Sequence, residues 1–338
     1  MTTAMQQAWG ATTPALSEFR QLAGQHRRVV PVTRRLLGDK FTPVGVYRQL
    51  ANGRPGTFIL ESAEQGEWAR WSFIGVASQA TLVARQGRAR WIGDVPVGIP
   101  LEGPTLEVLA RTLDELRSEP LPGLPPLTGG LVGALGWDVV HQWNPGLPAQ
   151  APDELGLPDA AMCLATDLAA IDHRDGSVWL IANAINFDDT DERIDEAHAD
   201  AVRRLDEMQA ALVAPSRGEI LVPGKAPAGD EGLRFRSRRE DFERSVTQAQ
   251  EAIGRGEIVQ LVLSQRLDLD SPAPPLEVYR ALRTINPSPY MYYLQLPDDP
   301  EVDAESFAVV GGSPETLVRV AGETVVTFPI AGSRPRGA

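Results

Sequence analysis

The chain has 338 residues, 45 acidic against 32 basic side chains and a formal net charge of −13. That length suits about two domains or one large composite domain. The charge argues against a nucleic-acid-binding surface without excluding a basic pocket for an acidic small molecule. Cys163 is the only cysteine, which excludes an intrachain disulfide and a thiolate metal cluster. His26, His141, His173 and His198 lack the spacing of paired metal ligands, so no metal site is expected from them. No apolar run is long enough to span a membrane, and no export signal opens the chain. A cytoplasmic protein without membrane or nucleic-acid partners is expected.

In chain order, a short helix is predicted around Leu16 to Ala23. Arg28 to Thr33 reads as a short strand whose proline places it at or near an edge. Thr42-Pro43 is a helix start, a hydroxyl cap followed by proline at the first helical position. Phe58 to Leu60, Trp68 to Gly75, Ala80 to Ala84 and Arg88 to Ile92 have the spacing of an antiparallel meander. Thr105 to Leu116 is an amphipathic helix with Leu106, Leu109, Leu113 and Leu116 expected inward. Gly129 to Val139 is a glycine-dense strand that something must approach closely, backbone or ligand. Ala161 to Asp172 and Ser177 to Ala184 form a strand pair, and Asp191 to Ala211 a long helix with an acidic start.

Residues 214 to 232 read as a surface crossover or domain boundary. A helix follows from Arg239 to Ile253 with Phe242, Val246 and Ile253 inward, and another from Leu276 to Ile285. Between them lies Glu257 to Arg266, whose apolar interior Ile258 to Leu263 predicts a buried central strand. Gln260 and Gln265 are anomalous there, because a buried amide must find hydrogen-bond partners in protein or ligand. Tyr290 to Leu296, Phe307 to Val310, Thr316 to Val320 and Thr324 to Ile330 complete the strands. Helices set between antiparallel strands in both halves predict α+β.

Three short strings near the end stand out: Asn286-Pro287-Ser288-Pro289-Tyr290-Met291, Gly311-Gly312-Ser313-Pro314-Glu315-Thr316, and Pro329-Ile330-Ala331-Gly332-Ser333-Arg334-Pro335-Arg336-Gly337. Glycine-rich turns can present backbone amides to carboxylates, and Arg334 and Arg336 add cationic donors. Taken in order with Glu257 to Arg266, they resemble the chorismate-utilising enzymes, most closely the large subunit of anthranilate synthase. Leu60-Glu61-Ser62, Arg70-Trp71-Ser72-Phe73-Ile74-Gly75 and Gly136-Trp137-Asp138 agree with the same family.

The resemblance implies a lyase that converts chorismate and ammonia to anthranilate and pyruvate at the start of tryptophan biosynthesis. It implies Mg²⁺ as cofactor, a glutamine amidotransferase subunit as partner in a heteromer, and feedback inhibition by tryptophan. Its fold would be α+β, with large antiparallel sheets flanked by helices and the C-terminal part incomplete. Residues 1–225 would form a regulatory lobe and 235–338 the beginning of the chorismate-binding catalytic lobe. Gln260 and Ser333 would be catalytic, and Gly332, Ser333 and Arg334 would hold substrate. Glu61, Ser62, Pro287, Tyr290 and Met291 would bind tryptophan, with Glu61 pairing to the ligand ammonium.

Two positions narrow the branch. Water-adding relatives carry a base lysine where this chain has Gln260, and a neutral amide activates water poorly. Aminodeoxychorismate synthases commonly carry a lysine nucleophile where this chain has Ala331, which cannot form that adduct. Aminodeoxychorismate synthase remains the chemical alternative, beside a non-catalytic fragment that senses tryptophan or binds the partner subunit. Family members are longer, so the sequence is expected to be truncated at its C-terminus and inactive alone, with the family's catalytic histidine and metal-binding acids falling beyond Ala338.

Overall fold

The computed structural model describes residues 8–63, 70–147, 152–215, 220–222, 232–298 and 306–330. The chain divides into two compact units, one of residues up to 219 together with those from 278 onward, the other of residues 220–277. The architecture is α+β, with a large antiparallel sheet and flanking helices.

In the larger unit the elements run β1 (Thr12–Thr13), α1 (Leu16–Ala23), β2 (Val29–Leu37), α2 (Pro43–Leu50), β3 (Thr57–Glu61), β4 (Trp71–Arg85), β5 (Arg88–Gly93) and β6 (Glu102–Pro104). They continue with α3 (Thr105–Leu116), β7 (Gly130–Leu135), α4 (Val140–Trp143), β8 (Ala160–Asp172), β9 (Ser177–Ile185) and α5 (Ile194–Val213). The smaller unit contains β10 (Arg234–Phe235), α6 (Arg239–Gly254) and β11 (Leu267–Asp268), with β10 and β11 paired. Helix α7 (Pro275–Ile285) leads back into the larger unit, followed by β12 (Tyr290–Pro297), β13 (Ser306–Ser313), β14 (Arg319–Ala321) and β15 (Thr324–Val326).

Among the described residues eleven strands form the main sheet, in the order β1-β2-β9-β8-β4-β3-β12-β13, with β5 branching from β4, β6 from β5 and β7 from β8. The branch exists because β4 and β8 are long. The first half of β4 lies between β3 and β8, and its second half between β5 and β8. Register shifts between Gly75 and Ala80 bend β4 without interrupting it. The two strands expected on either side of residue 77 are therefore one. Pro31 sits in β2 ahead of the short β1 pairing, so its missing N–H removes no ladder bond on that side.

Alternation along the strands sorts the side chains into two faces. Ile59 and Glu61 share a face with Tyr293 and Met291, their cross-strand partners. Helices α1, α2 and α5 pack against the sheet, burying Phe19, Val46, Tyr47, Leu205 and Leu212. Thr42 caps α2 by accepting the Gly45 N–H at 3.1 Å, and Pro43 fills its first turn. The opposite face gathers Phe58, Leu168, Trp179, Ile181, Leu294 and Leu296.

Three expectations change. Residues 258–266 belong to no strand, with Val259 96% and Val262 81% exposed. Apolar β-branched residues make a strand only where neighbouring strands complete the ladder, and among the described residues no strand pairs with 258–265. Helix α3 buries Thr105, Val108 and Thr112, while of the leucine stripe Leu106, Leu109 and Leu116 are half-buried, with Leu109 packed against the core, and Leu113 is 48% exposed. Helix α6 buries none of Phe242, Val246 and Ile253.

Candidate functional site

The last residue of β3 defines the site. Glu61 lies opposite Met291 on one side and Ser72 on the other, so three strands meet at one rim of the sheet. The loop after β3 is tied to the Asn-Pro-Ser-Pro-Tyr-Met string by a bond from the Ala63 N–H to the Ser288 carbonyl, 3.0 Å. That string is tied in turn to the next, because the Tyr290 hydroxyl bonds Thr316 Oγ1 and Tyr290 pairs with Ser313. Three strings far apart in sequence thus share one rim.

Gly311 and Gly312 are part of β13, not a turn. A Cβ on Gly311 would come within 2.4 Å of the Tyr292 hydroxyl, and one on Gly312 within 2.8 Å of Met291 Sδ. These glycines make room for protein side chains, and their backbones sit in the ladder with β12.

Glu61 is almost wholly enclosed. Its Oε1 accepts from the Tyr279 hydroxyl and from Arg283 Nε at 2.8 Å. Tyr279 and Arg283 lie four apart on α7 and so project from the same helical face. Burial and the adjacent Glu61 charge both push the Tyr279 hydroxyl upward, keeping it a proton donor across the physiological range. Tyr279 also packs at 6.0 Å against the Tyr293 ring, which meets Tyr47 edge-on at 5.3 Å. The exposure is lopsided: Glu61's side chain is 1% exposed and Arg283's 42%. A buried carboxylate needs a cation, and removing it from a fully buried pair costs about 3–5 kcal/mol.

Beside this pair, Ser72 Oγ bonds His173 Nε2 at 2.7 Å. Burial lowers the His173 pKa, the Glu61 and Asp172 carboxylates pull it back up, and Arg283 lowers it further. Asp172 is anchored by Arg70, whose Nε and Nη2 donate at 3.0 and 2.7 Å. Ser62 Oγ is buried and has no hydrogen-bond partner among the described residues. An orphan hydroxyl of that kind costs roughly 1–3 kcal/mol until something bonds it.

The expected residues therefore fall in three places. Glu61, Ser62, Tyr290 and Met291 come together on this rim, with Met291 and Glu61 buried and Pro287 exposed beside them. Gln260 lies in the smaller unit, exposed and outside any strand, as does Gln265. Ala331, Gly332, Ser333 and Arg334 lie outside the described residues. Tyr279 and Arg283 were not singled out from sequence, and Ser72 and His173 entered there only within a family string and as a histidine without metal-ligand spacing. The first two carried a usable signal, an i, i+4 pair on a predicted helix, but nothing local said which strand end that face would meet.

Among the described residues no three His, Cys, Asp or Glu side chains gather in a way that could hold a metal, so these residues do not fit a Mg²⁺ site. No helix among them is long and apolar enough to cross a membrane.

Comparison with known proteins gives this geometry a family. The sequence is 48% identical over 330 residues to anthranilate synthase component 1 of Mycolicibacterium smegmatis, covering 97% of this chain and 62% of that protein. It is 46% identical to the component 1 of Arthrobacter globiformis, covering 97% of this chain and 61% of that one. The chain thus spans about three fifths of the length of these relatives. The crystal structure of anthranilate synthase component I from Streptococcus pneumoniae superposes with a TM-score of 0.57 at 23% identity, covering 86% of this chain and 59% of the other, which supports the fold. Residues 56–338 match the family described as chorismate binding enzyme, and with most of its length inside that match the chain belongs to this family.

Proposed function

We propose that this chain forms part of an anthranilate synthase large subunit, which converts chorismate and ammonia to anthranilate and pyruvate. The observation that carries this reading is the 46% and 48% identity, over nearly the whole chain, to proteins named anthranilate synthase component 1. The name component 1 speaks for a second component, read here as a glutamine amidotransferase that supplies ammonia. Gln260 in place of a water-activating lysine, and Ala331 in place of a nucleophilic lysine, support amination over the related chemistries. Magnesium dependence belongs to this reading, with ligands other than the described residues. A cytoplasmic location belongs to it as well.

Within the reading, residues 1–225 are the regulatory lobe and 235–338 belong to the catalytic lobe. Gln260, Gly332, Ser333 and Arg334 serve the substrate. The rim of β3 and β12 takes tryptophan: Glu61 holds the ammonium in a dry setting, where a charge-assisted bond is strong. Ser62, with its free buried hydroxyl, supplies a further polar contact. Pro287, Tyr290 and Met291 line the wall. The run 258–265, exposed at Val259 and Val262 and without a strand partner among the described residues, supports the view that these 338 residues alone do not turn over chorismate.

A chimaera tests the assignment. The 338-residue chain, joined at the matching position to the remaining segment of the Mycolicibacterium relative, is given chorismate, Mg²⁺ and an ammonium salt, and anthranilate is followed by fluorescence. The chimaera is expected to form anthranilate, with tryptophan suppressing it, and the unextended chain is expected to form none. A soluble, folded chimaera without product would contradict the assignment.

A further inference from the structure

The rim holds a buried acid whose positive partner is already present, and that constrains any ligand bringing a second positive charge. Glu61 Oε1 has two donors of different character. Tyr279 is fully buried and fixed between Glu61 and the Tyr293 ring. Arg283 reaches Glu61 at 2.8 Å from a half-exposed position near the end of α7. One donor is fixed and the other has water to move into.

A ligand ammonium placed on Glu61 beside an unmoved guanidinium would put two cations on one enclosed carboxylate. Charge balance returns if the ligand also carries an anion that Arg283 can follow. A free α-amino acid has both charges on neighbouring atoms, and guanidinium matches a carboxylate in a planar fork. Resting on the reading of this rim as an amino-acid site, we propose that Arg283 determines specificity there: an α-amino acid inserts into the Glu61–Arg283 pair, its ammonium taking Glu61 and its carboxylate taking Arg283. Tyr279 stays on Glu61 throughout and holds the acid in place. Ser72 on β4, His173 just after β8 and Ser62 just after β3 border the pair, and none of them brings a fixed positive charge that could replace Arg283.

The proposal makes wild-type protein discriminate against an amine without a carboxylate, because such a ligand evicts Arg283 and offers it nothing. The test is calorimetric titration of the full chain with L-tryptophan and with tryptamine, for wild type, Arg283→Gln and Arg283→Lys. Wild type should prefer tryptophan, and in Arg283→Gln the ratio of the two dissociation constants should collapse by about tenfold or more. The collapse should combine weaker tryptophan binding with unchanged or tighter tryptamine binding. Arg283→Lys keeps the charge without the fork and should retain an intermediate ratio, and it serves if the glutamine variant is unstable. A ratio that stays the same in both variants, with tryptophan still binding, overturns the role of Arg283 and leaves the amino-acid site standing. Failure of wild type to bind tryptophan overturns both.

Discussion

Gly75 shows how a short sequence string becomes a packing requirement. A Cβ there would lie 2.2 Å from the Phe58 ring, across the β3–β4 ladder. Gly75→Ala is expected to lower stability by about 1–3 kcal/mol, as overpacking of a filled core does, measured by urea denaturation. Gly312→Ala should act similarly and also push Met291 and Ser288, so it should weaken tryptophan binding more than Gly75→Ala does. Cys163 gives the opposite kind of residue, with nothing to do chemically. It is buried, and burial pushes its thiol up to about 11, so folded protein should resist thiol reagents at pH 8 until denatured. The strings were legible as strings, because glycine and proline placements are local. Their neighbours were not: the reason for Gly75 is an aromatic ring seventeen positions away in sequence.

At the scale of elements, the decisive event is the pairing of β12 with β3, which brings Met291 opposite Glu61. Both strands were legible from their apolar runs, and the capped helix α2 from its Thr-Pro start. The pairing was not legible, since alternation identifies a strand without naming its partner. The same gap explains the run 258–266, where strand-like residues find no ladder among the described ones, and α3, where short threonines and a valine pack inward. The rim also carries a pH dependence. His173, beside Ser72, Glu61, Asp172 and Arg283, has its pKa lowered from the ordinary 6.5 by burial. The unfolded chain therefore binds the proton more readily, so this stability is complete above about pH 6.5 and is lost as pH falls through the folded value. Thermal midpoints should fall between pH 7.5 and 5.5, and His173→Gln should flatten part of that slope.

For the whole molecule, one sheet gathers strands from both ends of the chain, so residues 57–61 and 291–295 pair across more than two hundred positions. Composition bounded the class, and the ordered strings carried the family; neither could say that Glu61 is met by an arginine from α7. We propose that this rim is an amino-acid site organised by Glu61. Calorimetric titration of L-tryptophan into the 338-residue chain, beside a Glu61→Gln variant with an unchanged circular dichroism spectrum, tests it most directly. Wild type is expected to bind one equivalent, with at least about a tenfold loss of affinity in the variant, the scale of one charge-assisted contact. Equal binding by both proteins, or none by wild type, would contradict it.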